Sequence, residues 1–450
     1  MTARELALSA LMAYRRNNAW SDKTLGSLIE KSGVSTRDAA LAVHILNGVL
    51  QNMALCDYYA AHFSSTPLKK VEPRVLDILR ISIYQLVFLT KIPHSAAVNE
   101  GVALAKKHSN PRAAGFVNAV LRKVADAAQN GTLPEVTAKT EYECLSIKYS
   151  HPEWLVREFC DLLGTDGAEA LLTANNSADT PVTVQVNTLR TDTDNVLQML
   201  EAEDVRAERH PWLDDCIELR GAGSIERLDA FTKGYIYVQD AAARLAVMAA
   251  EPKPGDFVID GCAAPGGKSF AAAIAMGNAG RIVACDIHAA KLRHIESGAE
   301  RLGINIIEAF EKNATVYSGE LANSADIVIA DIPCSGFGVI RKKPEIRYKS
   351  EQDIAGLPDI QRRILLNLSS YVKPGGTLLY STCTVIKQEN EDIIAQFLDE
   401  KSKFCAENCE FLLEEFEIPG VGWSKDGMLT LWPHINNTDG FFICKLKRSI

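Results

Sequence analysis

Two cysteines and an aspartate carry the most chemistry in this chain. Asp331-Ile-Pro-Cys-Ser-Gly336 follows an apolar run, Ile327 to Ala330, so a carboxylate, a φ-fixing proline and the Cys334 thiol share one turn after a predicted buried strand. The next such run, Thr377 to Tyr380, ends near a second thiol, Cys383, in Tyr380-Ser-Thr-Cys-Thr384. A lone cysteine is usually a small buried hydrophobe. Two thiols at the carboxyl ends of successive parallel strands are neighbours, and ligands bind at those ends.

Upstream, Val258-Ile-Asp-Gly-Cys-Ala-Ala-Pro-Gly-Gly-Lys-Ser269 passes from a strand through a Pro/Gly turn into an Ala-rich helical pattern. Glycine lets a ligand approach the backbone there, and the helix N-terminus faces it. A phosphate loop would need glycine where Cys262 stands, and G-x-G-x-x-G is absent. The loop therefore reads as a seat for a small nucleoside-type cofactor; a phosphate-loop variant and a tight structural turn are the alternatives. Asp286 closes the apolar run Arg281 to Cys285, where a Rossmann-type domain places a carboxylate on ribose hydroxyls. Its other reading is a turn or cap residue.

Two thiols and a carboxylate beside such a cofactor suit one reaction. Cytosine carbon 5 is too weak a nucleophile to take a methyl group, but a thiolate adding to carbon 6 makes an enamine whose carbon 5 can attack. The carboxylate would hydrogen-bond the ring, and the second thiol or a water would remove the carbon 5 proton.

The positioning elements follow from pattern. From about residue 236 strands and helices alternate: Phe257 to Ile259, Arg281 to Cys285, Ile306 to Phe310, Ile327 to Ala330, Thr377 to Tyr380 and a late strand at Phe441 to Leu446. That predicts an α/β Rossmann-like domain with a mostly parallel sheet over residues 236–450. Residues 1–130 read as an all-α bundle, with helices capped at Ser35 or Thr36, opened by Pro73, capped at Ser95 and started at Asn110-Pro111. Residues 131–141 have linker composition. Residues 142–235 read as a small α+β module with a helix at Ser150-His-Pro-Glu-Trp154 and strands at Val182 to Asn187, Cys216 to Leu219 and Tyr235 to Val238. Its acidic stretch, Glu201 to Glu208, reads as a solvated face.

The net charge of −9 hides a split: residues 1–130 carry 16 Lys+Arg against 9 Asp+Glu, or +7, and the remainder −16. Such a module suits nucleic acid or another polyanion. No uninterrupted apolar run of about 18 residues and no signal-like apolar start occur, so a cytoplasmic protein without membrane segments is expected. Eleven cysteines without a C-x-x-C pair imply reduced thiols; the nearest pair, Cys405 and Cys409, reads as a helix face. No cluster has metal-ligand spacing, so no metal is expected. A monomer is expected.

Ile78-Leu-Arg80, Tyr84-Gln-Leu86, Ala96-Ala-Val-Asn-Glu100 and Gly115-Phe-Val-Asn-Ala-Val-Leu-Arg122 make the N-terminal module resemble the RNA-binding antitermination factor NusB. The resemblance implies RNA binding or partner docking, with Arg4, Arg15, Arg16, Lys69, Lys70, Arg112, Arg122 and Lys123 as candidate phosphate contacts. Cys262-Ala-Ala-Pro-Gly-Gly-Lys268, Asp331-Ile-Pro-Cys-Ser-Gly336 and Ser381-Thr-Cys-Thr384 resemble the motifs of S-adenosylmethionine-dependent RNA cytosine-5 methyltransferases. With Val238-Gln-Asp240 and Asp439-Gly-Phe-Phe442, the whole chain is similar to the bacterial 16S ribosomal RNA methyltransferases of the RsmB (Sun/Fmu) family.

That resemblance implies a seven-stranded catalytic sheet and ribosomal RNA as substrate. It implies S-adenosyl-L-methionine contacts from Cys262, Ala263, Ala264, Pro265, Gly266, Gly267, Lys268, Asp286 and Asp331. It makes Cys383 the nucleophile, gives Cys334 a part in product release and puts Asp331 beside base and cofactor. Asn313-Ala314 stands where the family usually has Asp-Ala at the adenine end, leaving Asn313 a neutral cofactor contact. Glu345-Ile-Arg347 replaces Asp-Ile-Lys in a segment expected near the RNA. The rival readings are a phosphate-loop NTPase and a non-catalytic RNA-binding scaffold.

Overall fold

Parallel strands buried on both faces need apolar residues at every position, whereas amphipathic helices need them only on one stripe. Both patterns occur, and the chain folds accordingly into two compact units. In the computed structural model, which describes residues 1–17, 21–177, 180–408, 411–418 and 427–450, one unit is Met1–Ala178 with Lys342–Lys349, and the other Asp179–Arg341 with Ser350–Ile450.

The first unit is helical. Among the described residues of its first 130, seven α-helices, from Ala3–Asn17 to Pro111–Asn130, bury a core that includes Leu6, Leu46, Val49, Ile78, Leu79, Ile83, Val117 and Leu121. Ser35 caps Thr36–Gln51 by accepting from Asp38 N at 3.2 Å, and Asn110 accepts from Ala113 N at 3.0 Å. Pro73 opens Pro73–Phe88. Ser95, expected as a cap, instead lies in the first turn of His94–His108, because Pro93 holds the N-cap position. Helices Glu141–Tyr149 and Glu153–Asn175, which the sequence pattern groups with the middle module, belong to this unit.

Residues 342–349 join the helical unit through Arg347, which is fully buried. Its guanidinium donates to Gln51 O at 3.0 Å, Tyr149 O at 3.2 Å and Asn175 O at 3.2 Å, and to Asn176 Oδ1 at 2.6 Å. Gln51, Tyr149 and Asn175 are each the last residue of a helix. Three negative helix ends with orphan carbonyls thus converge on one cation. Burial lowers the guanidinium's pKa to about 10, which leaves it charged at neutral pH. Glu345 is buried too, so these side chains anchor the segment in the bundle.

The second unit holds two sheets. The smaller is antiparallel, with β1 (Val182–Val186), β2 (Arg206–Arg209), β3 (Cys216–Arg220) and β4 (Ile236–Val238) in the order β2-β3-β1-β4. Strand β2 falls within the stretch read as a solvated face. It is an edge strand that is largely exposed, so its residues carry no apolar alternation to betray it.

The larger sheet comprises β5 (Phe257–Asp260), β6 (Arg281–Asp286), β7 (Ile307–Glu311), β8 (Ala325–Asp331), β9 (Val372–Thr382), β10 (Phe404–Glu407), β11 (Met428–Leu431) and β12 (Phe441–Arg448). Seven strands run in the order β7-β6-β5-β8-β9-β12-β10, and β11 pairs with β12. Strands β5 to β9 are parallel, while β10, β11 and β12 are antiparallel to their neighbours. Alternate residues feed opposite layers: Val258, Ile282, Ile327 and Leu379 on one face, Ile259, Val283, Val328 and Leu378 on the other. Cys405 lies on β10, not on a helix face, and Cys409 is outside the described residues.

Replacing Arg347 with alanine removes its hydrogen bonds to three helix ends; Gln51 O and Asn175 O lose this donor, while Tyr149 O keeps Asn176 Nδ2 at 3.0 Å. The expected loss is at least about 3 kcal/mol, since hydrogen bonds from a charged donor are being removed from a buried site. Urea unfolding followed by helical circular dichroism measures it, and Arg347→Lys is expected to lose less. A loss below about 1 kcal/mol for the alanine variant contradicts the anchoring role.

Candidate active site

The sheet order reverses at β5: the chain proceeds outward through β6 and β7, then returns to place β8 on the other side of β5. Such a switch point leaves a crevice beyond the carboxyl ends of the two strands. The turn after β5 fills its floor, with Gly261 N bonded to Ile329 O at 2.9 Å and Ala263 N to Cys285 O at 2.7 Å. Gly266 takes φ of 114°, and a Cβ there would lie 2.5 Å from the Phe270 ring, so only glycine serves. Helix Gly267–Ala275 begins at this point. Beneath it Ser269 Oγ donates to Asp260 Oδ2 at 2.7 Å, and burial pushes the Asp260 carboxyl up to about 7.

A cavity of ≈ 440 Å³ opens above this turn, lined by Gly261, Cys262, Asp286, Ile287, Asn313 and Pro333 among others. Asp286 Oδ1 accepts from His288 N at 2.9 Å. Asn313 Oδ1 accepts from Thr315 N at 2.9 Å and from Thr315 Oγ1 at 2.8 Å, which folds the turn after β7 around it. Ala263, Ala264, Pro265, Gly266 and Gly267 build the turn and do not line that cavity, while Lys268 and Asp331 form an ion pair of 2.8 Å beside it. Cys262 is on the cavity wall, where burial raises its thiol pKa.

Strands β8 and β9 are parallel neighbours, with Asp331 paired opposite Ser381. Their ends deliver Cys334 and Cys383 with the two sulfurs 3.2 Å apart. That is too far for a disulfide, whose sulfurs lie about 2.05 Å apart, and suits one shared proton. Asp331 is fixed by Ser381 Oγ, donating to Oδ1 at 2.9 Å, and by Lys268 at Oδ2. The Lys268 ammonium also stands 5.0 Å from the centroid of the Phe441 ring.

The pair is electrostatically unequal. A hydrogen bond from Cys334 holds the Cys383 thiol below its ordinary pKa, and the charge of Lys268 helps against burial and Asp331. Cys334 is pushed up by that same bond, by burial and by the negative charges of Cys383, Glu389 and Asp331. Of the two, Cys383 is therefore the thiol that ionises more readily.

Comparison with known proteins agrees along the whole chain. Residues 247–447 match the 16S rRNA methyltransferase RsmB/F family, residues 1–126 the NusB family and residues 151–226 the ferredoxin-like domain of RsmF/B-like methyltransferases. A probable ribosomal RNA small subunit methyltransferase B of Bacillus subtilis is 37% identical, covering 99% of each chain, and one from Synechocystis is 31% identical over 100% of each. The solved structure of PH0851 superposes with TM-score 0.80 and 25% identity, covering 100% of this chain and 99% of that one. A methyltransferase homologue from Pyrococcus horikoshii gives TM-score 0.59 at 27% identity, over 69% of this chain and 100% of its own.

The chain belongs to the ribosomal RNA small subunit methyltransferase B family. The NusB-like helical domain and the Rossmann-like methyltransferase domain expected from sequence are both present. Among the described residues no single helix is long and apolar enough to cross a membrane, and no cluster of three His, Cys, Asp or Glu side chains could hold a metal ion.

Within this methyltransferase the terminal motif closes the site. Gly338 N donates to Cys383 O at 3.0 Å and Gly440 N to Gly338 O at 2.8 Å, so the loops after β8 and β9 and the approach to β12 interlock through backbone. A Cβ on Gly338 would meet Gly440 O at 1.8 Å. Asp439 N also donates to Asp240 Oδ1 at 3.1 Å, which joins the Gln239-Asp240 and Asp439-Gly440 motifs.

Sequence reasoning passed over Glu389 and Gln361. Both are buried, and both hold the turn around Cys334: Ser335 N donates to Glu389 Oε2 at 2.9 Å and Gln361 Nε2 to Pro333 O at 3.0 Å. Their only signal was polarity where a buried face was due. In the first unit, Arg15 is engaged by buried Asp77 at 3.0 Å, Arg4 Nε donates to Gln85 Oε1 at 2.8 Å and Lys123 Nζ to Phe63 O at 3.3 Å. Arg16, Lys69, Lys70, Arg112 and Arg122 are exposed.

The inequality of the thiols can be read by alkylation. Iodoacetamide should label Cys383 with a pH midpoint below the free-cysteine value of about 8.5. Lys268→Met removes a cation that favours the thiolate, so the midpoint should rise by about half a unit or more. Peptide mapping across a pH series measures both; a parent midpoint at or above the free value, or a fall in the variant, contradicts the assignment.

Proposed function

We propose that this ribosomal RNA methyltransferase transfers a methyl group from S-adenosyl-L-methionine to carbon 5 of a cytosine in 16S ribosomal RNA, through a covalent bond between Cys383 and carbon 6. The observation that carries the reading is the unequal thiol pair, 3.2 Å apart, beside a carboxylate held by Ser381 and Lys268.

The cavity suits a nucleoside-type cofactor in size and character. Asp286 would take the ribose hydroxyls, Ile287 and Pro333 give apolar walls, Asn313 would meet the adenine end, and the turn from Cys262 to Gly267 would approach the rest closely. Bound there, S-adenosyl-L-methionine supplies an electrophilic methyl group. Lys268 is engaged by Asp331 and Phe441 instead of standing open to a phosphate, which favours this reading over a nucleotide triphosphatase.

The protein's own groups account for the rest. The Cys383 thiolate adds to carbon 6, and the displaced electron pair is delivered through the ring to carbon 5. Asp331 hydrogen-bonds the base edge and steadies the adduct. Once its sulfur is a thioether, Cys383 carries no negative charge, so Cys334 ionises more readily than in the free enzyme. Cys334, its own proton lost to solvent, then takes the carbon 5 proton once that carbon bears the methyl group, the ring double bond re-forms and the Cys383 thiolate leaves. The exposed Arg16, Lys69, Lys70, Arg112 and Arg122 are read as phosphate contacts of the NusB-like module.

Methyl transfer from labelled cofactor to unmodified 16S ribosomal RNA tests this. Cys383→Ala should lower the rate at least about a thousandfold, as removal of a covalent nucleophile does elsewhere; an undiminished rate sinks the nucleophile. Cys334→Ala should still form the adduct but accumulate a denaturation-resistant protein–RNA complex. Continued turnover without such a complex removes Cys334 from the release step. Mapping of 5-methylcytosine with and without the protein identifies the base; a methyl group on any other atom overturns the reaction.

A further inference from the structure

Glu389 is a buried carboxylate that the reaction above does not use. It is 1% exposed and ends a short turn, Lys387–Glu389, that follows Cys383 and Thr384. Its Oε2 accepts from Ser335 N at 2.9 Å and from Gln361 Nε2 at 2.7 Å, while Oε1 is buried without a hydrogen-bond partner. No lysine, arginine or histidine among the described residues forms an ion pair with it. A carboxylate buried without a cation is costly, and a neutral glutamine could have made both hydrogen bonds.

The surroundings show what it holds. Ser335 and Pro333 flank Cys334; the first is bonded to Glu389 directly, the second through Gln361. The backbone of Glu389 is tied to the other thiol's strand, because Tyr380 OH donates to Glu389 O. Next to it, Thr382 Oγ1 donates to Asn390 Oδ1 at 2.6 Å, and Asn390 Nδ2 donates to Thr384 O at 3.0 Å. A second bridge joins the Ser335 and Thr384 hydroxyls at 2.8 Å. Glu389 thus bonds to the turn that bears Cys334 and to the strand that leads to Cys383.

We propose that Glu389 is a positioning residue that fixes Cys334 against Cys383, clamping the Pro333–Ser335 turn onto the segment that follows the second thiol. Its negative charge adds a second effect. Facing Cys334 together with Asp331 and Cys383, it favours the protonated thiol, which is the form that donates to Cys383. The proposal deepens the covalent reading, in which Cys334 and Cys383 act as a pair, but its test needs neither RNA nor a methyl donor. Failure of the clamp and failure of the reaction are therefore separable.

Phenylarsine oxide reports the spacing, since one arsenic exchanges its oxygen for two nearby thiol sulfurs, whose two protons leave with that oxygen as water. The full-length protein should be captured across Cys334 and Cys383, as seen by peptide mapping. Glu389→Ala should weaken capture about tenfold, the factor that loss of one buried hydrogen bond implies. Glu389→Gln should restore it, because the amide oxygen still accepts from Ser335 N. Charge is read separately, by iodoacetamide labelling of Cys334 in a Cys383→Ser background. There Glu389→Gln should lower the pH midpoint by about half a unit or more. Undiminished capture by a folded Glu389→Ala variant overturns the clamp. If that variant does not fold by circular dichroism, the glutamine comparison decides, and an unmoved Cys334 midpoint overturns the proposal.

Discussion

One proton between two sulfurs is the constraint on which the site depends. Thiols 3.2 Å apart cannot both be ionised at low cost, because like charges at that distance repel strongly inside a protein. The fold breaks the tie by surroundings. Lys268, reaching in from the helix after β5, favours charge at Cys383; Glu389, held after β9, opposes it at Cys334. A more acidic thiol and a less acidic partner thus arise from two chemically identical side chains.

That inequality rests on sheet topology. Strands β8 and β9 must be adjacent and parallel for both thiols to emerge on one edge, and β5 must lie beside β8 for Lys268 to reach Asp331. Close backbone contact keeps the edge shut: Gly338 touches Gly440 and bonds to Cys383, leaving no room for a side chain at Gly338. The cofactor-sized cavity then opens on the β6 and β7 side, next to the thiols but separate from them. Polar groups at strand ends are held by backbone and neighbouring side chains, so little rearrangement is required when charge develops.

Much of this was legible because the relevant signals are local. Strands β5, β6, β8 and β9 each contain a short apolar run, and each run leads into a residue singled out from sequence: Asp260, Asp286, Asp331 or Cys383. The turn after β5 announced itself by glycine and proline. Strands β2, β10 and β11 were missed, each being only 4 residues long and at a sheet margin. The roles of Arg347 and Glu389 were not legible for another reason: each satisfies partners brought together only by folding. Arg347 meets three helix ends that lie far apart in sequence, and Glu389 meets a turn 54 residues upstream. Arg15, one of the candidate phosphate contacts, is likewise paired with a partner the sequence does not show, the buried Asp77.

The central claim is that sulfur of Cys383 bonds to carbon 6 of the target base. A 16S ribosomal RNA transcript carrying 5-fluorocytosine tests it most directly. Fluorine at carbon 5 cannot leave as a proton does, so an adduct that has accepted its methyl group has no route back. Incubated with S-adenosyl-L-methionine, the intact protein should form a covalent complex stable to denaturant, and digestion should place the modified nucleotide on the peptide bearing Cys383. A cross-link at Cys334, or methyl transfer to ordinary cytosine with no cross-link to the fluorinated base, contradicts the account.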